Sequence, residues 1–299
     1  MKTSVLISNY NYGEFLSKAI ESVLKQSVPA HQIIVVDDGS TDDSANIIAS
    51  FGTKITPLFQ DNSGQAAAIS NAYAIATGDI LMLLDADDLF HPHKIEILQQ
   101  VYSQNPDIGW VFHDLKEVHS EKVSSEELPV SKEITPILID QIKNFSTGRI
   151  SYDAPATSGL TFRKDFMSDF FPMPGSQGIT LSDHYIKFYC LATGKGFHIP
   201  EPLGLQVLHD KNLYTGKNSK KALATRARIF ANTAIYLEKI APHTENFCNN
   251  LMSEALKCAI ESGITSEIKP KFVSFSAGKS TTTILKMRTK SYINHFLKR

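Results

Sequence analysis

The chain has 299 residues, of which 42% are hydrophobic and 20% are charged, with 30 Lys and Arg against 31 Asp and Glu. This is an ordinary globular composition, and the length is sufficient for one large domain or two smaller ones. A net charge near zero is not that of a general nucleic-acid binder. The apolar runs are too short to span a membrane, and the polar residues 8–12 interrupt any signal-peptide core.

The cysteine pattern argues against two kinds of site. Three cysteines are scattered along the chain, an odd number without a ligand-like pair: Cys190, Cys248 and Cys258. We therefore expect neither a disulfide scaffold nor a cysteine-based zinc site, and the pattern suits a reducing cytosol.

The first 115 residues alternate strand patterns with helical patterns. Short apolar runs predict strands at residues 4–7, 33–36, 55–59, 80–84 and 108–112. Helical spacing, alanine-rich runs and start signals predict helices that begin near residues 15, 42, 64 and 92. This alternation predicts an α/β fold with a mostly parallel sheet covered by helices on both faces, in which ligands bind beyond the carboxyl ends of the strands.

After about residue 115 the pattern loosens. Residues 116–132 are polar and charged, which is typical of an excursion from the sheet. A further strand is predicted at residues 159–163, and helices are predicted at residues 182–192, 220–240 and 245–262.

We divide the chain into two predicted parts. The first is a domain of residues 1–215, with halves at residues 1–115 and 116–215. The second is a helical extension of residues 216–299. Its tail, from residue 263 onward, carries eight Lys and Arg against one Glu and is therefore strongly basic.

An acidic cluster follows the strand predicted at residues 80–84. In an extended segment alternate side chains point to one side, so Asp85 and Asp87 converge while Asp88 lies beside them. Carboxylates this close repel one another, and a hard divalent cation such as Mg²⁺ or Mn²⁺, shared with substrate phosphates, relieves the repulsion. The alternative without a ligand is a solvated acidic turn at the start of the next helix.

A second acidic cluster, Asp37-Asp38, follows the strand at residues 33–36. Ser40 or Thr41 is predicted to cap the next helix, which leaves these two acids unexplained. Acids at a strand end accept hydrogen bonds from a nucleotide base or ribose, and Gly39 lets a ligand approach the backbone. The chain has no G-x-G-x-x-G fingerprint and no phosphate-binding G-x-x-x-x-G-K-[ST] loop, so a dinucleotide fold and a P-loop NTPase are not expected.

Three segments follow one another along the chain in this order: VLISNYNYGEFLSKAIESVLKQS, IIVVDDGSTDDS and GDILMLLDADD. Together they resemble the inverting glycosyltransferases of family 2, strongly over residues 3–115 and more weakly to about residue 210. The resemblance implies the GT-A fold, a Rossmann-like, mostly parallel sheet flanked by helices, here with a C-terminal helical extension. The chain departs from the family at Ser8, where Pro is usual, and at Ile69-Ser70-Asn71, where Arg-Asn or Leu-Asn is common.

The resemblance also implies a nucleotide site. Asp38 would read the base with Asp37 as support, and Asp85 would contact the ribose. The loop that holds Ser8 and Tyr10 would pass beside the nucleoside, with the Tyr10 ring as a stacking surface. The alternative for Tyr10 is a half-buried aromatic side chain at a strand end.

The same resemblance implies a metal and a sugar site. Asp87, Asp88 and His209 would hold Mn²⁺ or Mg²⁺ on the diphosphate. For His209 the interpretation as a satisfied structural histidine is favoured over the ligand. Ser158 and Arg163 lie in a stretch that the family places near the donor sugar and acceptor. The alternative for Arg163 is a surface arginine at a strand end.

Asp183 matches the acid that acts as catalytic base in similar enzymes, at the start of the helix predicted from Ser182. A helix N-terminus favours the charged, less basic carboxylate, whereas burial raises a carboxyl pKa again. The alternative is a plain acid in the first turn of the helix.

The predicted function is metal-dependent transfer of a sugar, with inversion, from a nucleotide-diphosphate sugar to an acceptor hydroxyl in polysaccharide or glycoconjugate synthesis. The resemblance implies UDP as the carrier and a glycan or lipid-linked glycan as the acceptor. One alternative is a nucleotidyltransferase of related fold, although residues 1–30 lack its basic, glycine-rich phosphate loop. Another is a non-catalytic nucleotide-sugar-binding protein.

We expect a cytoplasmic protein without a nucleic-acid partner. The basic segment 280–299 has two interpretations. Its apolar residues stand among Lys and Arg, which suits a helix on the anionic inner face of a membrane; they are Ile284, Leu285, Tyr292, Ile293, Phe296 and Leu297. The slightly favoured alternative is a solvated helix packed on the domain.

Overall fold

The computed structural model describes residues 1–125, 134–173, 183–210, 212 and 219–296. The chain forms two compact units. The sheet unit comprises Met1–Asp140, Asp153–Asp183 and Gly194–Asn212, and the helical unit comprises Gln141–Tyr152, His184–Thr193 and Leu213–Arg299. The chain thus enters the helical unit three times. The division at residue 215 and the two halves before it stay a prediction.

In the described residues of the sheet unit, nine strands form one sheet. They are β1 (Thr3–Asn9), β2 (Gln32–Asp37), β3 (Thr56–Phe59), β4 (Ile80–Asp85), β5 (Leu89–Phe90), β6 (Trp110–His119), β7 (Ile137–Ile139), β8 (Leu160–Arg163) and β9 (Gly196–Leu208). Their order is β3-β2-β1-β4-β8-β6-β9-β5, and β7 pairs with β9. Strands β3, β2, β1 and β4 are mutually parallel, whereas β8 runs antiparallel to β4 and β6.

Four helices of the sheet unit connect or flank these strands: α1 (Gly13–Leu24), α2 (Ser44–Ser50), α3 (Gln65–Ile75) and α4 (Lys94–Gln104). The buried residues of α1 recur at the spacing that the sequence predicts, at Leu16, Ala19, Ile20 and Val23. Strands β1, β2 and β4 are buried almost throughout, because helices cover both faces of a parallel sheet. The predicted α/β fold with its mostly parallel sheet is confirmed.

The sequence-based bounds need two corrections. Strand β6 runs on to His119 rather than ending at residue 112, since it pairs in parallel with the long strand β9. Neither Ser40 nor Thr41 caps a helix, because α2 begins only at Ser44. Asp42 lies at this helix start instead and accepts hydrogen bonds from the Ser44 hydroxyl at 2.5 Å and from Gly13 N at 2.9 Å.

In the helical unit the structure describes α5 (Ile142–Thr147), residues 184–193 of α6 (Asp183–Thr193), α7 (Lys220–Ile240), α8 (Glu245–Ser262), α9 (Thr265–Ser276) and α10 (Thr281–Phe296). The bounds of α7 and α8 match the prediction. The Ser219 hydroxyl caps α7 by accepting from Ala222 N. Within the described residues, no helix combines the length and the apolar character that crossing a bilayer requires.

Arg163 lies at the far end of the sheet from the acidic clusters. It pairs with Ile80 at the start of β4, whereas Asp85 ends that strand. Its guanidinium donates to the carbonyls of Tyr102, Ile108 and Asn105 at 2.8, 2.9 and 3.2 Å. The predicted contact of Arg163 with donor or acceptor is therefore wrong. The side chain instead stabilises the end of α4 and the loop that follows it, by donating to their carbonyls.

This placement predicts a stability defect. Arg163→Met should lower the free energy of unfolding by about 2–3 kcal/mol, since buried carbonyls lose charge-assisted hydrogen bonds. Urea denaturation measures the change, and Arg226→Met, which removes an exposed arginine, is the control. Equal stability of the two variants would contradict the role we assign to Arg163.

Candidate functional site

The strand register brings the two acidic clusters to the same edge of the sheet. Strand β1 lies between β2 and β4, with Asn9 opposite Asp37 on one side and Ser8 opposite Asp85 on the other. Because all three strands are parallel, their carboxyl ends present these carboxylates together. Ser8 and Tyr10, which the sequence assigns to the nucleoside, lie at the end of β1 and just beyond it.

Asp37 and Asp38 shape the loops of this edge. The Asp37 carboxylate accepts from Asn9 Nδ2 at 2.7 Å and from the Ser40 hydroxyl at 2.5 Å. The Asp38 carboxylate accepts from Gln60 Nε2 at 2.7 Å and from the backbone N–H groups of residues 63 and 64, both at 2.8 Å. Both acids are 4% exposed. Their roles toward a nucleoside stay predictions.

Gln65 links the two clusters and was missed by the sequence analysis. Gly64 adopts φ 90° and ψ 158°, a region that only glycine tolerates well. Its N–H donates to Asp38, and the next residue, Gln65, donates from Nε2 to Asp85 Oδ1 at 2.7 Å and to the Ser8 hydroxyl at 3.4 Å. The signal in the sequence was a glycine directly before a helix.

Tyr10 is 40% exposed, which is compatible both with a stacking surface and with the half-buried alternative. Its neighbour Asn11 adopts φ 58° and is tied to the adjacent loop, since its N–H donates to the Ser40 hydroxyl and its side chain accepts from Thr41 N. An exposed ring on a fixed loop has the character of a stacking surface.

Carboxylates crowd the end of β4. Burial, followed by the charges of Asp88, Asp87 and Asp183, raises the pKa of Asp85 well above its ordinary value. Burial and the charge of Asp87 raise the pKa of Asp88 to about 7, although Ser158, Val207 N–H and Lys94 act in the opposite direction. The site thus concentrates negative charge that a bound cation would stabilise.

Asp87 and His209 form a pair at this edge. His209 Nε2 lies 3.0 Å from Asp87 Oδ2, and Asn212 Nδ2 donates to the same oxygen at 3.1 Å. The imidazole stacks on Phe15, with ring centroids 4.1 Å apart, and meets Tyr12 edge-on. These contacts fix the orientation of His209. No sequence motif predicts this contact of Asn212.

Asp88 does not join this pair. It is 3% exposed, and its two oxygens accept from Val207 N at 2.9 Å and from the Ser158 hydroxyl at 2.6 Å. In the described ranges, no three His, Cys, Asp or Glu side chains are arranged to hold a metal ion. Both Asp88 oxygens accept internal hydrogen bonds, and the predicted roles of Asp87, Asp88 and His209 as metal ligands stay predictions.

Ser158 is also placed differently from the prediction. It is fully buried, and its hydroxyl accepts from Asp85 N at 3.1 Å while donating to Asp88. A hydroxyl with these partners is not offered to a donor sugar or an acceptor. Ser158 instead connects Asp85 and Asp88 through its hydroxyl group.

Asp183 is the first residue of α6 and is 7% exposed. Its charge contributes to the raised pKa of Asp85, so its carboxyl group interacts with the acidic end of β4. Ser182, expected as the helix cap, lies outside the described residues. The catalytic role of Asp183 stays a prediction.

The remaining donors suit a divalent cation. Asp85 and Asp87 supply carboxylate oxygens and His209 an imidazole nitrogen, donor types that Mn²⁺ accepts beside phosphate oxygens, although these three side chains are not arranged as a ready-made metal site. The neighbouring acids destabilise ionised Asp85 in the absence of a positive charge. In donor chemistry, Asp85, Asp87 and His209 therefore suit a divalent cation.

The chain is similar in sequence to known bacterial proteins. An uncharacterized glycosyltransferase of Nostoc sp. is 35% identical over 222 residues, covering 71% of this chain and 66% of the relative. The succinoglycan biosynthesis protein ExoU of Rhizobium meliloti is 32% identical over 170 residues, covering 54% of this chain and 47% of that protein. The aligned parts thus span less than two thirds of these relatives' own lengths.

A solved structure shares the fold. The crystal structure of S. aureus TarS residues 1–349 in complex with UDP-GlcNAc matches with a TM-score of 0.61 at 14% identity, covering 99% of this chain and 89% of that one. The family model described as glycosyl transferase family 2 matches residues 4–168, which contain both acidic clusters. With more than half of its length matched, the chain belongs to glycosyl transferase family 2.

Proposed function

We propose that the protein is an inverting, metal-dependent glycosyltransferase that moves one sugar from a UDP-sugar to an acceptor hydroxyl. The observation that carries this proposal is the pair of acidic clusters on either side of β1, joined through Gln65. Family membership supports it, as does the structural neighbour that binds UDP-GlcNAc.

The nucleoside would bind along the ends of β1 and β2. Tyr10 offers a ring face for the base, and Asp38 offers a carboxylate for a base N–H. Asp38 Oδ2 accepts a hydrogen bond from Gly64 N, and a carboxylate oxygen has a second lone pair for another donor. Ser8 and Asp85 lie opposite each other and suit the ribose hydroxyls.

The diphosphate would lie against Asp87 and His209. With Asp85, these residues would hold Mn²⁺ or Mg²⁺. The bound cation would neutralise negative charge that grows on the leaving nucleoside diphosphate. Asn212 and Phe15 would keep the Asp87–His209 pair oriented during this step.

Asp183 would act as the catalytic base. It accepts the proton of the acceptor hydroxyl while that oxygen bonds to the anomeric carbon and the bond to the diphosphate breaks. Attack from the face opposite the leaving group inverts the anomeric centre in a single displacement, without a covalent sugar–enzyme intermediate. Positioning of donor and acceptor supplies much of the rate gain.

The acceptor is proposed to be a glycan or lipid-linked glycan in polysaccharide or glycoconjugate synthesis, at the cytoplasmic side of a membrane. The relative named for succinoglycan biosynthesis supports a polysaccharide pathway.

The base assignment has a direct test. Asp183→Asn should abolish sugar transfer and leave UDP affinity unchanged, because only the proton acceptor is lost. Turnover of a panel of UDP-sugars and acceptors, with calorimetry of UDP, measures both properties. Asp79→Asn, at the opposite end of β4, is the control and should transfer normally. Normal turnover by Asp183→Asn would end the assignment.

The products identify the reaction class. Release of a nucleoside diphosphate with transfer of the sugar indicates a glycosyltransferase, release of pyrophosphate indicates a nucleotidyltransferase, and tight donor binding without products indicates a non-catalytic binding protein.

The metal assignment predicts a loss of cation-dependent binding. Asp87→Ala should weaken the affinity for UDP in Mn²⁺ about tenfold or more, as ligand losses at metal sites commonly do. Calorimetry with Mn²⁺ and with chelator measures this effect, and Asp107→Ala, on an exposed loop, is the control. Equal affinity of the wild-type protein with and without chelator would remove the metal from the proposal.

The helical unit is proposed to contact an anionic membrane surface. It carries 18 Lys and Arg against 5 Asp and Glu, a net charge of +13, whereas the sheet unit carries 12 against 26, a net charge of −14. No acid follows Glu267, and Val273 and Leu285 are 58% and 63% exposed among exposed lysines. Exposed apolar side chains among cations favour a lipid surface.

Of the apolar residues expected on this surface, Ile284 is half-buried and Leu285 is exposed. The side chains of Tyr292, Ile293, Phe296 and Leu297 lie outside the described residues.

Charge reversal tests the membrane contact. The triple variant K269E/K286E/K290E should lose co-sedimentation with vesicles that contain phosphatidylglycerol, since cationic side chains near an anionic surface provide the attraction. The matched variant K2E/K18E/K54E reverses three exposed lysines of the sheet unit and should co-sediment normally. Unchanged binding of both variants, or binding that high salt does not weaken, would contradict the proposal.

A further inference from the structure

Lys94 is a cation in the interior of the sheet unit. It is the first residue of α4 and has no exposed surface. Its ammonium group lies 3.5 Å from the centroid of the Phe90 ring and donates to the Ser158 carbonyl at 2.7 Å. Burial lowers the pKa of Lys94 well below its ordinary value, although the nearby Asp88 carboxylate acts in the opposite direction. Hydration cannot stabilise the charge of a lysine in this position, because the side chain has no contact with bulk water.

Lys94 contacts Ser158, the residue that connects Asp85 with Asp88. Ser158 uses its carbonyl for Lys94 and its hydroxyl for Asp85 N and Asp88 Oδ2. A single buried serine therefore connects the ammonium group to both ends of the turn that contains Asp87. Movement of Ser158 would disturb the backbone of Asp85 and the side chain of Asp88 together.

Asp88 extends this connection to the other side of the site. Its second oxygen accepts from Val207 N, two residues before His209, whose imidazole meets Asp87. The buried chain of contacts thus runs from Lys94 through Ser158 and Asp88 to β9. Lys94 thus reaches the backbone of Asp85 through one residue, Ser158, and reaches the strand that precedes His209 through Ser158 and Asp88.

We propose that Lys94 is a positioning residue of the donor site, which holds the turn from Asp85 to Asp88 in place through Ser158. This inference rests on the proposed function, because it assigns Lys94 to the same nucleotide and cation site. A well-packed apolar residue commonly matches or exceeds a buried ionic group in stability, so stability alone does not account for a lysine here. The fixed hydrogen-bond geometry accounts for the lysine, because supporting contacts determine the orientation of metal-binding carboxylates.

The test compares two lysines with similar contacts. Lys94→Met removes the ammonium group and keeps the length of the side chain. Lys164→Met is the matched control, since the Lys164 ammonium also donates to a backbone carbonyl, that of Ala76, and lies near an aromatic ring, that of Tyr73, at the opposite end of the sheet. Ser158→Ala keeps the carbonyl that Lys94 contacts and removes only the hydroxyl that reaches the acids.

Calorimetry of UDP in the presence of Mn²⁺ is the main measurement, with thermal unfolding recorded for each variant. Lys94→Met and Ser158→Ala should each weaken UDP affinity about tenfold or more, the loss typical of a supporting contact at a metal site. Lys164→Met should bind UDP like the wild-type protein even where its unfolding temperature falls.

Failure of this inference is distinct from failure of the proposed function. If the wild-type protein binds UDP and both Lys94→Met and Ser158→Ala bind it equally well, the positioning role is wrong. If Lys94→Met does not fold, Ser158→Ala alone decides the question. If the folded wild-type protein binds neither UDP nor a UDP-sugar, the proposed function is wrong, and the inference falls with it.

Discussion

Repulsion between carboxylates is the constraint on which the structure of this site depends. Parallel strands bring the acids of two strand ends to one edge of the sheet, and Asp85, Asp87 and Asp88 follow one another within four residues. The protein neutralises part of this charge with its own donors, through backbone N–H groups for Asp38 and through Ser158 and Val207 for Asp88. The negative charge that remains, on Asp85 and Asp87, is suited to a cationic partner.

The same hydrogen bonds that satisfy the acids also build the site. Asp38 fixes the loop that ends in Gly64, and this loop delivers Gln65 to Asp85. Asp88 fixes Ser158 against β9, which ends at His209. Acids that look interchangeable in the sequence therefore divide into buried members that organise loops and members that remain for a ligand. This division gives the family motif a physical meaning in this chain.

The two units differ in chemistry as well as in architecture. The sheet unit holds most of the acids, whereas the helical unit holds most of the bases, so a net charge near zero conceals two strongly and oppositely charged parts. Average composition is a poor guide to partners in such a chain, because electrostatic attraction is screened over about 10 Å and acts locally. The proposed membrane contact follows from the charge of one unit alone.

Sequence patterns alone predict the strand–helix alternation, the edge of the sheet at which the acids lie, and the two long helices α7 and α8. These features follow from hydrophobic periodicity, which is a local property. The hydrogen-bond partners of each acid, by contrast, depend on the tertiary fold. Asp88 and Ser158 face inward because strands and loops distant in sequence supply their hydrogen bonds, and Arg163 lies at the wrong end for a substrate because β8 runs antiparallel to β4. Gln65, Lys94 and Asn212 carry no motif, since their roles arise from contacts that span 20, 64 and 125 residues.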